Sequence, residues 1–173
     1  MSKLLINREW AMPSPNTFSI KPVASLLGRY IKDSDTVIDP FARTSRWGTI
    51  TNDLDPTQPT DYHLEASEFC QILRDGVTAD VVLFDPPYSP RQISEVYASI
   101  GRRATGSDTQ NARLYKNVRD GLDNLLKPGG IAISCGWNSS GFGKTRHYEM
   151  LEILLVAHGG AHNDTIVVVE CKR

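Results

Sequence analysis

The segment Ala79-Asp80-Val81-Val82-Leu83-Phe84 runs without a break into Asp85-Pro86-Pro87-Tyr88, and it constrains the fold more than any other stretch. Nearly continuous apolar residues, two of them β-branched, predict a strand buried on both faces, as in the middle of a parallel sheet. Two consecutive prolines then fix φ twice and remove two backbone donors. The strand stops there, and the chain leaves it as a stiff corner.

Other strands and helices alternate around this one. A helical period opens at Lys21-Pro22, with Val23, Leu26, Leu27, Tyr30 and Ile31 on one face, and Pro22 suits a first helical turn. Thr36-Val37-Ile38-Asp39-Pro40 predicts a short strand, Trp47 to Asn52 a second and Tyr62-His63-Leu64 a third. Helices are expected over Glu65–Leu73, Gln92–Ile100 and residues 112–127, the last closed by Lys127-Pro128-Gly129-Gly130. Ile131–Cys135 predicts a buried strand. Met150–Ala157 and Thr165–Glu170 predict an antiparallel hairpin joined through His158–Asn163. Residues 7–19, broken by Pro13 and Pro15, read as an irregular arm. The expectation is an α/β fold with a mainly parallel sheet and a C-terminal antiparallel β-hairpin. In such sheets ligands sit at the carboxyl ends of the strands, near the point where strand order reverses. Asp39, Asp53 or Asp55, and Asp85 all fall where expected strands end.

With 173 residues, 40% apolar and 23% charged, the chain reads as one globular domain over 1–173 rather than a disordered or fibrous protein. No run approaches the roughly 20 apolar residues of a membrane span, and the N-terminus turns charged too soon for a secretory signal. Cys70, Cys135 and Cys171 form no C-x-x-C pair and read as apolar filler in a reducing compartment. A cytoplasmic protein without membrane contact is expected. The net charge of −1 offers no general field for a polyanion, so any nucleic-acid contact must come from a local patch.

The corner at Asp85 has a definite chemistry. A carboxylate and a carbonyl held in fixed relation make an acceptor pair for an –NH2 group with its two donors, and an aromatic side chain alongside can stack on a flat base. For an amine conjugated into a ring, such acceptors favour the geometry needed to attack a methyl group, by orientation and electrostatic placement.

Val81-Val82-Leu83-Phe84-Asp85-Pro86-Pro87-Tyr88 resembles the signature of the DNA amino-methyltransferases, and the D-P-P-Y form resembles the enzymes that act on adenine N6. The resemblance implies a Rossmann-like class I methyltransferase fold, S-adenosylmethionine as cofactor and DNA as partner. Asp85 and the Pro86 carbonyl would grip the amine of a flipped base, Pro87 would complete the corner and Tyr88 would stack on the ring. Asn16-Thr17-Phe18-Ser19-Ile20-Lys21-Pro22 is similar to the family's cofactor motif ahead of a helix, which assigns Phe18, Ile20 and Lys21 to the cofactor. Val37-Ile38-Asp39-Pro40-Phe41 resembles its first cofactor strand, assigning Asp39, Pro40 and Phe41. Asp53-Leu54-Asp55 would hold the ribose hydroxyls, and Glu65-Ala66 the cofactor's adenine, with Asp85 at the border of both ligands.

Two departures stand out. The family's D-P-F-x-G-x-G loop reads Asp39-Pro40-Phe41-Ala42-Arg43-Thr44-Ser45 here, without its glycines. This keeps open a binding homologue that has lost catalysis, beside acceptors such as RNA adenine, cytosine N4 or a protein amide. No separate target-recognition domain is visible; only residues 89–113 could serve. Between 91 and 120 stand six basic residues (Arg91, Arg102, Arg103, Arg113, Lys116, Arg119) against Glu95, Asp108 and Asp120. With Lys144 and Arg146, the basic set Arg91, Arg102 and Arg103 is expected to face nucleic-acid phosphates. A chain this small is expected to gain grip as a homodimer, and a methylase stripped to this size suits a phage or mobile element. Gly141-Phe142-Gly143-Lys144-Thr145 fails the phosphate-loop pattern at Asn138. No metal site is expected, because Gly159-Gly160 breaks the alignment of His158 with His162.

Overall fold

A computed structural model describes residues 3–105 and 111–173, with the backbone alone over 111–114. In chain order the elements are β1 (Leu5–Trp10), a 3-10 turn (Thr17–Ser19), α1 (Lys21–Tyr30), β2 (Val37–Asp39), β3 (Ile50–Thr51) and α2 (Ala66–Leu73). There follow β4 (Ala79–Phe84), α3 (Pro90–Ser99), α4 (Asn111–Leu125), β5 (Leu126–Gly136), a second 3-10 turn (Lys144–Arg146), β6 (Tyr148–Ala157) and β7 (Thr165–Lys172).

The strands form one sheet in the order β1-β6-β7-β5-β4-β2-β3. β7 runs antiparallel to both β5 and β6, and the other pairings are parallel. The mainly parallel sheet with a terminal hairpin is thus observed. From β2 the chain steps outward to β3, then returns to place β4 on the other side of β2. That reversal opens a crevice beyond the carboxyl ends of β2 and β4.

Alternation along the strands feeds two apolar layers. Val81, Leu83, Ile133, Cys135, Val167 and Val169 pack with Val23, Leu26 and Leu27 of α1. Val82, Phe84 and Ala132 pack on the opposite side with residues of α2, α3 and α4. The helices follow local rules. Pro22 sits in the first turn of α1. Pro90 opens α3, where the Ser89 side chain accepts the Gln92 N–H at 3.2 Å. A Cβ at Gly121 of α4 would lie 2.6 Å from the Cys70 Cβ of α2, so the glycine sets the approach of these helices. Cys70 and Cys135 are buried and free, and burial pushes the Cys70 thiol up to about 12.

Several boundaries differ from the sequence reading. The expected irregular arm over residues 7–19 overlaps β1, which pairs in parallel with β6 from Leu5↔Glu152 to Trp10↔Ala157. Every residue of β1 is exposed, so it lacks the apolar alternation that marks a strand in sequence. The strand expected over Trp47–Asn52 shrinks to Ile50–Thr51, and the one at Tyr62–Leu64 to a single bridge between Asn52 and Tyr62. β5 begins at Leu126, inside the expected stop, through an irregularity opposite Ala79–Val81. Residues 106–110, which include Asp108, and the side chains of Arg113 and Leu114 lie outside the described residues. Among the described residues no helix is long and apolar enough to cross a membrane.

Candidate active site

Beyond the sheet's carboxyl edge lies a cavity of about 740 Å³ whose walls include Pro40, Asp53, Glu65, Asp85, Tyr88 and Trp137. A second cavity of about 190 Å³ adjoins it, sharing Pro15, Thr17, Phe41, Arg43 and Asp85. The larger volume falls within the roughly 300–1,000 Å³ usual for ligand pockets.

Asp39 ends β2 and is completely buried. Its Oδ1 accepts the Phe41 N–H at 3.1 Å, while Oδ2 is buried without a hydrogen-bond partner among the described residues. Burial, reinforced by the nearby charges of Asp85 and Asp53 against the Phe41 hydrogen bond, raises its pKa to about 8. A buried acceptor without a donor is costly, so this oxygen is suited to a proton; Asp39 lines neither cavity.

Asp85 follows β4 and lines both cavities. Burial raises its pKa, opposed by hydrogen bonds from Tyr88 and Thr17 and by the charge of Arg43. The Tyr88 hydroxyl donates to Asp85 Oδ1, and the Tyr88 N–H donates to Gln92 Oε1 at 2.5 Å. The Pro87 carbonyl is taken by the Tyr115 hydroxyl. The Pro86 carbonyl has no partner among the described residues. The corner therefore holds one carboxylate capped by a tyrosine hydroxyl and one carbonyl without an internal partner. The Tyr88 ring also meets Trp137 edge-on at 5.7 Å.

The acidic residues beyond β3 are already engaged. Asp53 accepts the Arg43 N–H at 3.1 Å and the Asp55 N–H at 2.9 Å, and burial raises its pKa against these bonds. Asp55 is turned into its own loop by Gln58 and Thr57, which hold its carboxyl below the usual range. Glu65 immediately precedes α2 and accepts the Tyr97 hydroxyl at 2.8 Å; Leu54 and Ala66 complete this wall.

Other expected site residues are more scattered. Phe18 and Ile20 are buried in the α1-side core, Phe18 also reaching the second cavity, and Lys21 is exposed at the start of α1. Arg91 is exposed and paired with Glu95 at 2.8 Å, and Arg102 and Arg103 are exposed beyond α3. Arg146 does not line the cavities: it donates to Asp120 at 2.7 and 2.9 Å and to the Phe142 carbonyl at 3.0 Å. Lys144, one turn away, is exposed. His158 Nδ1 and Nε2 lie 2.8 Å from the Ala11 carbonyl and the Thr165 hydroxyl.

Three positions escaped the sequence reading. Buried Asn52 donates to the Pro40 and Leu64 carbonyls at 3.1 and 2.9 Å and accepts the Leu64 N–H at 2.9 Å, fixing the loops after β2 and β3. Trp137 emerges directly from β5 onto Tyr88, and its place after an apolar strand is the signal that could have found it. Arg43, read only as a missing glycine, lines both cavities.

No family model and no curated protein sequence matches the chain. Solved structures do resemble it. TrmN from Thermus thermophilus aligns over 89% of this chain and 49% of its own at 18% identity, TM-score 0.58. NSun6 from Pyrococcus horikoshii, solved with SFG, aligns over 86% and 50% at 14% identity, TM-score 0.59. An rRNA methylase from Streptococcus thermophilus aligns over 86% and 93% at 7% identity, TM-score 0.52. The present chain thus spans about half the length of the first two. The likeness shows the fold: this is the Rossmann-like architecture of the class I methyltransferases.

Proposed function

We propose that the chain is an S-adenosylmethionine-dependent methyltransferase acting on the exocyclic amine of a nucleic-acid base, with adenine N6 in DNA as acceptor. The observation that carries this reading is the Asp85–Tyr88 corner, with its carboxylate, Pro86 carbonyl and flanking aromatic, opening onto a cavity at the strand-order reversal. The fold of structures such as NSun6, solved with SFG, supports the choice of cofactor.

The residues present fit that cofactor. Asp53, Leu54, Glu65 and Ala66 form a wall for a nucleoside, while Asp39 lies sealed beneath the loop that follows β2 and lines neither cavity. Phe18 lines the smaller cavity together with Phe41, where the amino-acid end would rest. Bound S-adenosylmethionine supplies an electrophilic methyl group on a sulfonium.

On this reading the Asp85 carboxylate and the Pro86 carbonyl each accept one N–H of the amine, turning its lone pair away from the ring and toward the methyl carbon. Tyr88 gives up its bond to Asp85 as the amine arrives, and its ring stacks on the base. Unstacking a base costs a few kcal/mol, and aromatic stacking of about 1–3 kcal/mol offsets much of it. Burial raises the Asp85 pKa, and the hydrogen bonds from Tyr88 and Thr17 oppose that shift and favour the ionised acceptor. Arg91, Arg102, Arg103 and Lys144 would meet phosphates, while Arg146 holds the loop beside them through Asp120.

The test is methyl transfer from radiolabelled S-adenosylmethionine to unmethylated DNA and RNA, followed by base analysis. Labelled N6-methyladenine in DNA, lost in Asp85→Ala, is expected. Firm cofactor binding with no transfer to either polymer would refute the reading and favour a binding homologue. Transfer to RNA alone would move the acceptor toward that of the rRNA methylase it resembles in fold.

A further inference from the structure

Arg43 occupies a backbone conformation that its side chain does not favour. Its φ is +49°, in the left-handed region where an L-residue is strained and glycine is not. The loop thus keeps the turn that a glycine would make while carrying the longest cationic side chain in its place. Such strain persists where surrounding contacts over-determine it, and it concentrates at ligand sites.

Two such contacts hold Arg43. The Arg43 N–H is held by Asp53 Oδ2 at 3.1 Å, and one guanidinium nitrogen donates to the Pro15 carbonyl at 3.0 Å. Among the described residues no carboxylate lies within ion-pair distance of this guanidinium, although Asp85 and Asp53 feel its charge, so most of its donors remain for another acceptor. Its side chain forms part of the boundary between the two cavities. The smaller cavity also carries Arg46 and the hydroxyls of Thr17, Thr44 and Ser45, with Phe18 and Trp47 as apolar wall; its one acidic residue is Asp85. Two arginines, several hydroxyls and one carboxylate describe a site for a small zwitterion, with its anionic end on the arginines.

We propose that Arg43 binds the α-carboxylate of the cofactor's amino-acid end, seated in the smaller cavity, and so replaces glycine's close backbone approach with a charged anchor. This rests on the methyltransferase reading above and names a residue that reading does not use. With the nucleoside beside Asp53 and Glu65, the carboxylate at Arg43 would bracket Asp85, which both cavities share.

The experiment compares the binding of S-adenosylmethionine and of decarboxylated S-adenosylmethionine, which keeps the sulfonium and the amine, by calorimetry on the full chain. Wild type should prefer the carboxylated ligand by about 10- to 100-fold, the range of a charge-assisted hydrogen bond. Arg43→Ala should erase that preference by weakening only the carboxylated ligand, and Arg43→Lys should keep part of it. Equal weakening of both ligands, or no weakening, overturns the assignment while leaving the methyltransferase reading intact. Wild type binding neither ligand overturns both.

Discussion

Asp39 and Asp85 stand at the ends of neighbouring parallel strands, β2 and β4, and the charge of Asp85 adds to burial in holding the Asp39 carboxyl protonated. An unfolded aspartate ionises near 3.8, whereas folded Asp39 keeps its proton to about 8. Between those values the folded chain binds a proton that the unfolded chain has lost. This group's contribution to stability therefore falls as pH rises through that window and levels off above it. Asp39→Asn should flatten the fall. Urea unfolding of both proteins at about pH 5 and about pH 8 checks this; identical pH dependence would contradict the burial argument.

Tyr88 separates two roles that one side chain combines. Tyr88→Phe removes the hydroxyl that caps Asp85 but keeps the ring, so methyl transfer should stay within a few-fold of wild type. Tyr88→Ala should lower kcat/KM by about 10- to 100-fold, the loss expected for one stacked base. Equal losses in both variants would mean that the hydroxyl, not the ring face, does the work.

Asp85→Asn retains shape but turns one acceptor into a donor facing an amine. Transfer should drop by about 10²–10³, as for loss of a single placed electrostatic partner, with S-adenosylmethionine affinity reduced far less. Single-turnover rates beside binding titrations distinguish this from simple loss of the cofactor.

Glu152 ties three elements together. Buried on β6, it accepts from Asn7 of β1 at 3.0 Å, Arg29 at 2.5 Å and Tyr30 at 2.9 Å, both of α1. Arg29 is half exposed, so water softens its share. Glu152→Ala should still cost about 2–4 kcal/mol, because the Tyr30 and Asn7 donors lose their acceptor. Hydrogen exchange should show β1 loosening first; unchanged protection there would contradict this.

Gly141 lies at φ +55°, and a Cβ there would overlap the Glu170 carboxylate. That carboxylate accepts the Phe142 and Gly143 N–H groups at 2.6 and 3.1 Å and so holds the loop after β5. Gly141→Ala should destabilise by about 2–3 kcal/mol through strain and displacement of Glu170. Thermal unfolding would show it.

The Asp85 corner was legible in sequence because its causes are adjacent: an apolar β-branched run demands burial, and two prolines fix the exit. The α1 start at Pro22 and the β6–β7 hairpin were legible for the same reason. β1 was not, since a strand exposed along its whole length owes its place to backbone pairing with β6 and to Asn7 meeting Glu152, a partner 145 residues away. Nor was the fate of Arg146. Its charge suggested phosphates, but folding brought Asp120 within reach.

The sequence by itself determined the alternation of helices and principal strands from α1 onward, the acidic residues at strand ends and the proline-locked acceptor pair, because these follow from local periodicity and fixed dihedral angles. Only the tertiary structure decided that Asp39 is sealed from water, that Tyr88 caps Asp85, that Asn52 stitches two loops and that Arg43 divides two cavities. Those facts depend on which distant segments pack together, and their energies come from burial and hydrogen bonds that exist only once the sheet has closed.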